Sequence, residues 1–141
     1  MTDGTFHRVG NTDERMYGPR GLLVCGYPVE EHDPLSEFMA RFSGGGLSVV
    51  FVSDRDADRS VLEVLAMPHG SGKGLPSSLG RAMVLSGFTQ RELHGLMAAY
   101  RKSGLPRQFW ATLTPTSESW TVRELLEELA REAEAMSRKG P

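Results

Sequence analysis

Four short apolar runs punctuate the chain, each followed by a stretch in which apolar residues recur at helical spacing. Residues 21–27 and 47–53 are almost unbroken apolar runs, the pattern of strands buried on both faces. Residues 81–86 and 109–114 form the third and fourth runs. The last is rich in aromatic and β-branched residues and is stopped by Pro115, which has no N–H to give a ladder. Between them, Leu35, Phe38, Met39 and Phe42 mark a helix, with Asp33 as its expected cap and Pro34 as its first residue. Ser60 and Glu63 stand in capping-box spacing before a short helix to Ala66. Thr89 and Glu92 do the same before Leu93, Leu96, Met97 and Tyr100. Thr121 and Glu124 repeat the spacing ahead of Val122, Leu125, Leu126, Leu129, Ala133 and Met136, which predicts an amphipathic helix to about Ser137.

The predicted order is β-α-β-α, a Gly-, Ser- and Pro-rich connection over residues 67–80, and β-α-β-α again. The halves, 21–66 and 81–137, align without a gap at an offset of 61 residues. That offset pairs Gly26 with Gly87, Glu31 with Glu92, Leu35 with Leu96, Val61 with Val122, Glu63 with Glu124 and Leu65 with Leu126. Around these identities Tyr27 meets Phe88, Ser53 meets Thr114 and Ser60 meets Thr121. The expectation is an α/β fold: one domain over residues 21–137, internally duplicated, with an open, mainly parallel four-stranded sheet flanked by helices. Right-handed crossovers favour strand order 2-1-3-4. Residues 1–20 are polar and read as an arm, mobile or laid along the domain.

The segment Thr114-Pro115-Thr116, Trp120 and Leu125-Leu126-Glu127-Glu128-Leu129 resembles the signature of a small bacterial family, domain-of-unknown-function family 3783. The resemblance spans about Met83 to Met136. It implies a strand ending in Thr-Pro-Thr and a helix after the tryptophan, and it implies no activity.

Bulk properties narrow the function. A net charge of −2 and a pI of about 6.1 argue against a nucleic-acid partner. No apolar run approaches a membrane span, and the polar start of the sequence points to the cytoplasm. The single Cys25 offers neither a disulfide framework nor a thiolate-rich metal site, and inside a strand it reads as a small buried hydrophobe. The four histidines lack metal spacing, and His32 reads as an exposed loop residue. Residues 70–74, Gly-Ser-Gly-Lys-Gly, imitate part of a phosphate loop. Gly74 stands where Ser or Thr is needed and Pro76 blocks the following helix, so a flexible linker is expected. No catalytic set, metal site or cofactor motif emerges.

Two binding readings remain. In the first, a non-catalytic module works through self-association as a homodimer or through a protein partner. Trp120, Leu129 and Met136 are its interface candidates. Arg91, Arg101, Lys102 and Arg107, clustered on or after the third helix, are cations suited to an acidic partner and commonplace as solvated surface. In the second, a small anionic ligand binds, with or without chemistry, at the carboxyl rim of the sheet. Gly26, Tyr27, Gly87, Phe88, Thr114, Thr116 and Ser117 would line that rim.

Overall fold

The computed structural model describes residues 13–139. The first twelve residues of the expected arm lie outside the described residues. The rest of the arm lies along the domain, where Met16 N–H donates to Phe88 O (2.8 Å) and Gly87 N–H donates to Tyr17 O (3.1 Å).

The sheet comprises β1 (Gly21–Cys25), β2 (Val49–Val52), β3 (Ala82–Ser86) and β4 (Phe109–Thr112), in the order β2-β1-β3-β4. β1 pairs with β2, and β3 with β4, in parallel; the central pair, β1 with β3, is antiparallel. Four α-helices flank it: α1 (His32–Ser43), α2 (Val61–Leu65), α3 (Gln90–Ser103) and α4 (Val122–Lys139). Alternation along each strand divides the core in two. Leu22, Val24, Val49, Phe51, Met83 and Leu85 face α1 and α3. Leu23, Cys25, Val50, Val52, Ala82 and Val84 face α2 and α4. Because helices cover both faces, strands β1 to β3 are buried throughout, which explains their unbroken apolar runs.

The central register has a simple geometry. Leu23 lies opposite Val84, with Leu22 opposite Leu85 and Val24 opposite Met83. Leu23 and Val84 are themselves 61 residues apart, so an approximate two-fold axis passes between them. The axis recurs at the isolated antiparallel bridge between Ser60 and Thr121. There Val61 N–H donates to Trp120 O (2.8 Å) and Val122 N–H to Arg59 O (3.1 Å). The outer pairs obey it as well: Leu22 opposite Val49 corresponds to Met83 opposite Trp110.

Side chains follow the same relation. Arg20 forms a bidentate pair with Glu92 (2.9 and 2.8 Å) and stacks over Phe88 at 5.1 Å. Arg81 contacts Glu31 (2.7 and 3.4 Å) and stacks over Tyr27 at 5.0 Å. Each arginine ties the approach to a central strand to the loop or helix beyond the other. Gly26 (φ 78°) and Gly87 (φ 71°) let the chain turn beneath these clamps. A Cβ at Gly26 would strike the backbone of Leu79 and Gly80, and one at Gly87 would meet Gly18 O at 2.7 Å and Arg20 N at 2.8 Å.

All three capping boxes form, at Ser60/Glu63, Thr89/Glu92 and Thr121/Glu124. The start of α1 differs from expectation. A 3-10 turn, Val29–Glu31, runs directly into the helix, and the N-cap position falls on Glu31 without a side-chain bond. Asp33 therefore caps nothing and instead holds Lys73 (2.8 Å), which keeps its carboxyl below the ordinary range. α4 buries Val122, Leu125 and Leu126, whereas residues 131–137 are all exposed.

Candidate functional site

A two-fold fold should have two equivalent sheet edges, yet the chain treats them differently. On β2 the outward-facing groups are taken. Val49 N–H donates to His69 Nδ1 (3.0 Å), Gly70 N–H to Val49 O (2.8 Å), and Phe51 N–H to Ser71 O (2.8 Å). The glycine-rich segment expected as a flexible linker is thus a cover laid along the edge. It can lie so close because Gly72, at φ 79°, has no side chain, and the Phe51 carbonyl occupies the space a Cβ would need. His32, expected in an exposed loop, is 4% exposed and pins the same cover. Gly74 N–H donates to its Nδ1 (2.8 Å), so Nε2 carries the proton and donates to Tyr27 O (3.0 Å). Its ring stacks on Phe51 at 4.5 Å.

On β4 the corresponding N–H groups are uncovered among the described residues. Phe109 N–H and Leu113 N–H point inward to Arg81 O (3.1 Å) and Leu85 O (2.9 Å). The N–H groups of Trp110 and Thr112, between them, face outward and find no acceptor among the described residues. The strand is half-buried along its whole length. An unpaired strand edge is a template for another strand.

Both faces beside this edge are recessed. On the α3 side a cleft of about 510 Å³ is walled by Met97, Tyr100, Leu105 and Trp110. Tyr100 and Trp110 meet edge to face, 5.5 Å between centroids. The Tyr100 hydroxyl donates to Pro106 O (2.6 Å) and accepts from Tyr27 (2.8 Å), which fixes the ring as a wall. Burial raises the Tyr100 phenol above its ordinary range, so it serves as a neutral hydrogen-bonding group. Arg101 and Arg107 border the cleft, as does Gln108, whose Nε2 is buried without an acceptor. On the α4 side a shallower cleft of about 270 Å³ runs between Phe109, Leu79, Leu126 and Ala130, with Arg123 and Glu127 beside it.

This edge belongs to the second half of the chain, which is also where a family relationship appears. Residues 81–136 match the family model of a domain of unknown function, DUF3783. The match begins one residue before β3 and ends within α4, so the DUF3783 segment contains β3, α3, β4 and most of α4. No curated protein and no solved structure matches the chain.

The residues expected at a common carboxyl rim are separated. Because β1 and β3 run antiparallel, Gly26 and Tyr27 leave the sheet at one end and Gly87 and Phe88 at the other. Thr114, Thr116 and Ser117 share the second end, since β4 runs parallel to β3. Tyr27 and Phe88 are 1% and 0% exposed and serve as core beneath the arginine clamps. Thr114 and Ser117 bond each other: Thr114 N–H donates to Ser117 Oγ and Ser117 N–H to Thr114 Oγ1, both at 3.1 Å. Thr116 is exposed. The single rim of the sequence reading required a parallel central pair, and strand character alone does not reveal direction.

Of the interface candidates, Trp120 and Leu129 are half-buried against the α2/α4 core, while Met136 is 71% exposed at the far end of α4. Trp120 also borders a hollow of about 290 Å³ with Glu124, Glu127, Glu128 and Arg131. Cys25 is fully buried, and burial pushes its thiol up to about 12, far from a reactive thiolate. Among the described residues no three His, Cys, Asp or Glu side chains gather as a metal site, and no helix is long and apolar enough to cross a membrane. The cleft beside Trp110 escaped the sequence reading. Its one visible signal was the cation cluster at Arg101, Lys102 and Arg107.

Proposed function

We propose that the protein is a non-catalytic interaction module that takes an extended segment of another polypeptide onto the free edge of β4. One observation carries the reading: of two edges related by the same approximate axis, β2 is sealed by its own chain and β4 offers the outward N–H groups of Trp110 and Thr112. Strand addition draws affinity from main-chain bonds and specificity from pockets that receive alternate side chains. The clefts on the two faces of β4 suit that alternation. The setting proposed with it is the cytoplasm, where a lone unpaired thiol is usual.

We also infer that the chain is two copies of one β-α-β-α unit. The shared offset of the central register, the Ser60–Thr121 bridge and the paired arginine clamps support this. In that reading the DUF3783 segment is one unit and residues 21–66 are its diverged partner.

The edge is tested by selecting displayed random peptides on the intact protein and following amide exchange with the best binder. Bound peptide should slow exchange at Trp110 and Thr112. Thr112→Pro should abolish binding with little loss of thermal stability, because that N–H serves no internal ladder bond. Peptides that protect some other part of the surface would end the proposal.

A further inference from the structure

Resting on that reading, we propose that the segment received by β4 is acidic on the side facing α3, and that it belongs to a different protein rather than to a second copy of this chain. Three features of the cleft beside Trp110 point to it. First, its cations are uncommitted. Arg20, Arg81 and Arg123 each hold a carboxylate, whereas Arg101 and Arg107 have no carboxylate partner among the described residues. Second, Gln108 Nε2 is a buried donor without an acceptor at the same cleft. A buried donor left unsatisfied is costly, and a guest carboxylate or carbonyl would relieve it. Third, the wall between these groups is apolar and aromatic, formed by Met97, Tyr100, Leu105 and Trp110.

A strand paired with β4 places every second side chain on the face shared by Trp110. An acidic side chain there comes within reach of the two guanidiniums, while a neighbouring apolar side chain on the same face covers the indole. Arginine suits this task, since its planar fork meets a carboxylate through two parallel bonds.

The same charges argue against self-pairing. In a symmetric β4–β4 dimer with a continuous sheet, the α3 faces of both copies lie on the same side. Arg101, Lys102 and Arg107 of each copy would then meet the second copy's Phe109–Thr112 strand, which carries no acidic side chain to answer them. A segment that answers those cations is preferred over one that leaves them unanswered.

The test uses random-peptide display on the full-length protein, in parallel on wild type and on the double variant Arg101→Glu/Arg107→Glu. Both positions are exposed, and the melting temperature of the variant provides the fold control. Wild type should enrich segments with Asp or Glu beside an apolar residue. Replacing that acidic residue by its amide should weaken binding about tenfold or more, judged by fluorescence anisotropy at low salt. The double variant should reverse the selection toward Lys and Arg. Peptides that protect Trp110 and Thr112 but show no acidic preference, or keep it in the double variant, would overturn the acidic partner and leave the edge reading standing. Failure of any peptide to protect those amides would overturn both. A dimer in sedimentation velocity, dispersed by Thr112→Pro, would show a second copy on the edge and refute the choice of a foreign segment.

Discussion

At the scale of single residues, the two arginine clamps join the halves most directly. Neither is a deep ion pair; the Arg20 and Glu92 side chains are 26% and 33% exposed. Exposed pairs are weak, but these are bidentate or nearly so, and each guanidinium also covers a buried ring. Partial burial works to raise the Glu92 carboxyl, and it is outweighed by the Arg20 hydrogen bonds, the Thr89 N–H and the nearby cations, so the group sits below its ordinary 4.5. A carboxylate depressed by folding stabilises above its unfolded pKa and loses that contribution as pH falls through the folded value. Wild type should therefore lose melting temperature as pH drops from about 5 toward 3. Glu92→Gln should start lower at neutral pH and show a shallower decline over that window. Equal slopes in a pH series of thermal melts would show that Glu92 contributes nothing to acid sensitivity.

At the scale of elements, what the sequence made legible was mostly local. Capping boxes at Ser60, Thr89 and Thr121 were visible because side chain and backbone partner lie three residues apart. The strands were visible as apolar runs. Of the long-range features, strand order was legible from crossover handedness, whereas strand direction and the meeting of particular distant groups were not. Direction across the central pair is decided by connections and helix placement, so two glycine turns of like sequence pattern lie at opposite ends of the fold. The segment 69–74 looked like a loose linker because glycine signals freedom as readily as close approach. Its actual partners, Val49, Phe51 and His32, lie 20 or more residues away in β2 and α1. The cleft needed Trp110 and Tyr100 brought together, and neither announces the other. If Gly72 is what allows the cover to lie down, Gly72→Ala should lift it. Amide exchange at Val49 and Phe51 should quicken at least tenfold, while Leu23 and Val84 in the centre remain slow. The strained positive φ alone costs about 1–3 kcal/mol, enough to open the edge locally. An unchanged exchange pattern would mean that His69 and His32 hold the cover without close backbone contact.

At the scale of the whole molecule, the sheet reads as two sub-sheets joined by one antiparallel seam. A lone β-α-β-α unit would expose the inner edge of its first strand. Here that edge is buried because the other half presents the equivalent edge in a self-complementary register, Leu23 against Val84. Of the two units, the DUF3783 segment is the better equipped to stand alone. Its α3 runs from Gln90 to Ser103 and its α4 from Val122 to Lys139, whereas α2 in the first half has only the five residues Val61–Leu65. In a segment covering residues 79–139, the seam on β3 would be open, and the only strand of matching register is another β3. Two such segments should then pair antiparallel about Val84, with Ala82 opposite Ser86 and Thr121 of each copy at the second crossing of the axis. The expected product is a concentration-dependent dimer in sedimentation equilibrium, with slow amide exchange at Met83, Val84 and Leu85. Arg81 would lose Glu31 but regain a glutamate, because Glu92 of the other copy stands where Glu31 stood. Arg81→Glu should for that reason weaken the segment's dimer. The same change in the intact chain should cost less, because the Arg20–Glu92 clamp and the covalent link between halves remain. A folded monomer of the segment would show that the central seam is a feature of this chain alone and not a pairing mode inherited from a single unit.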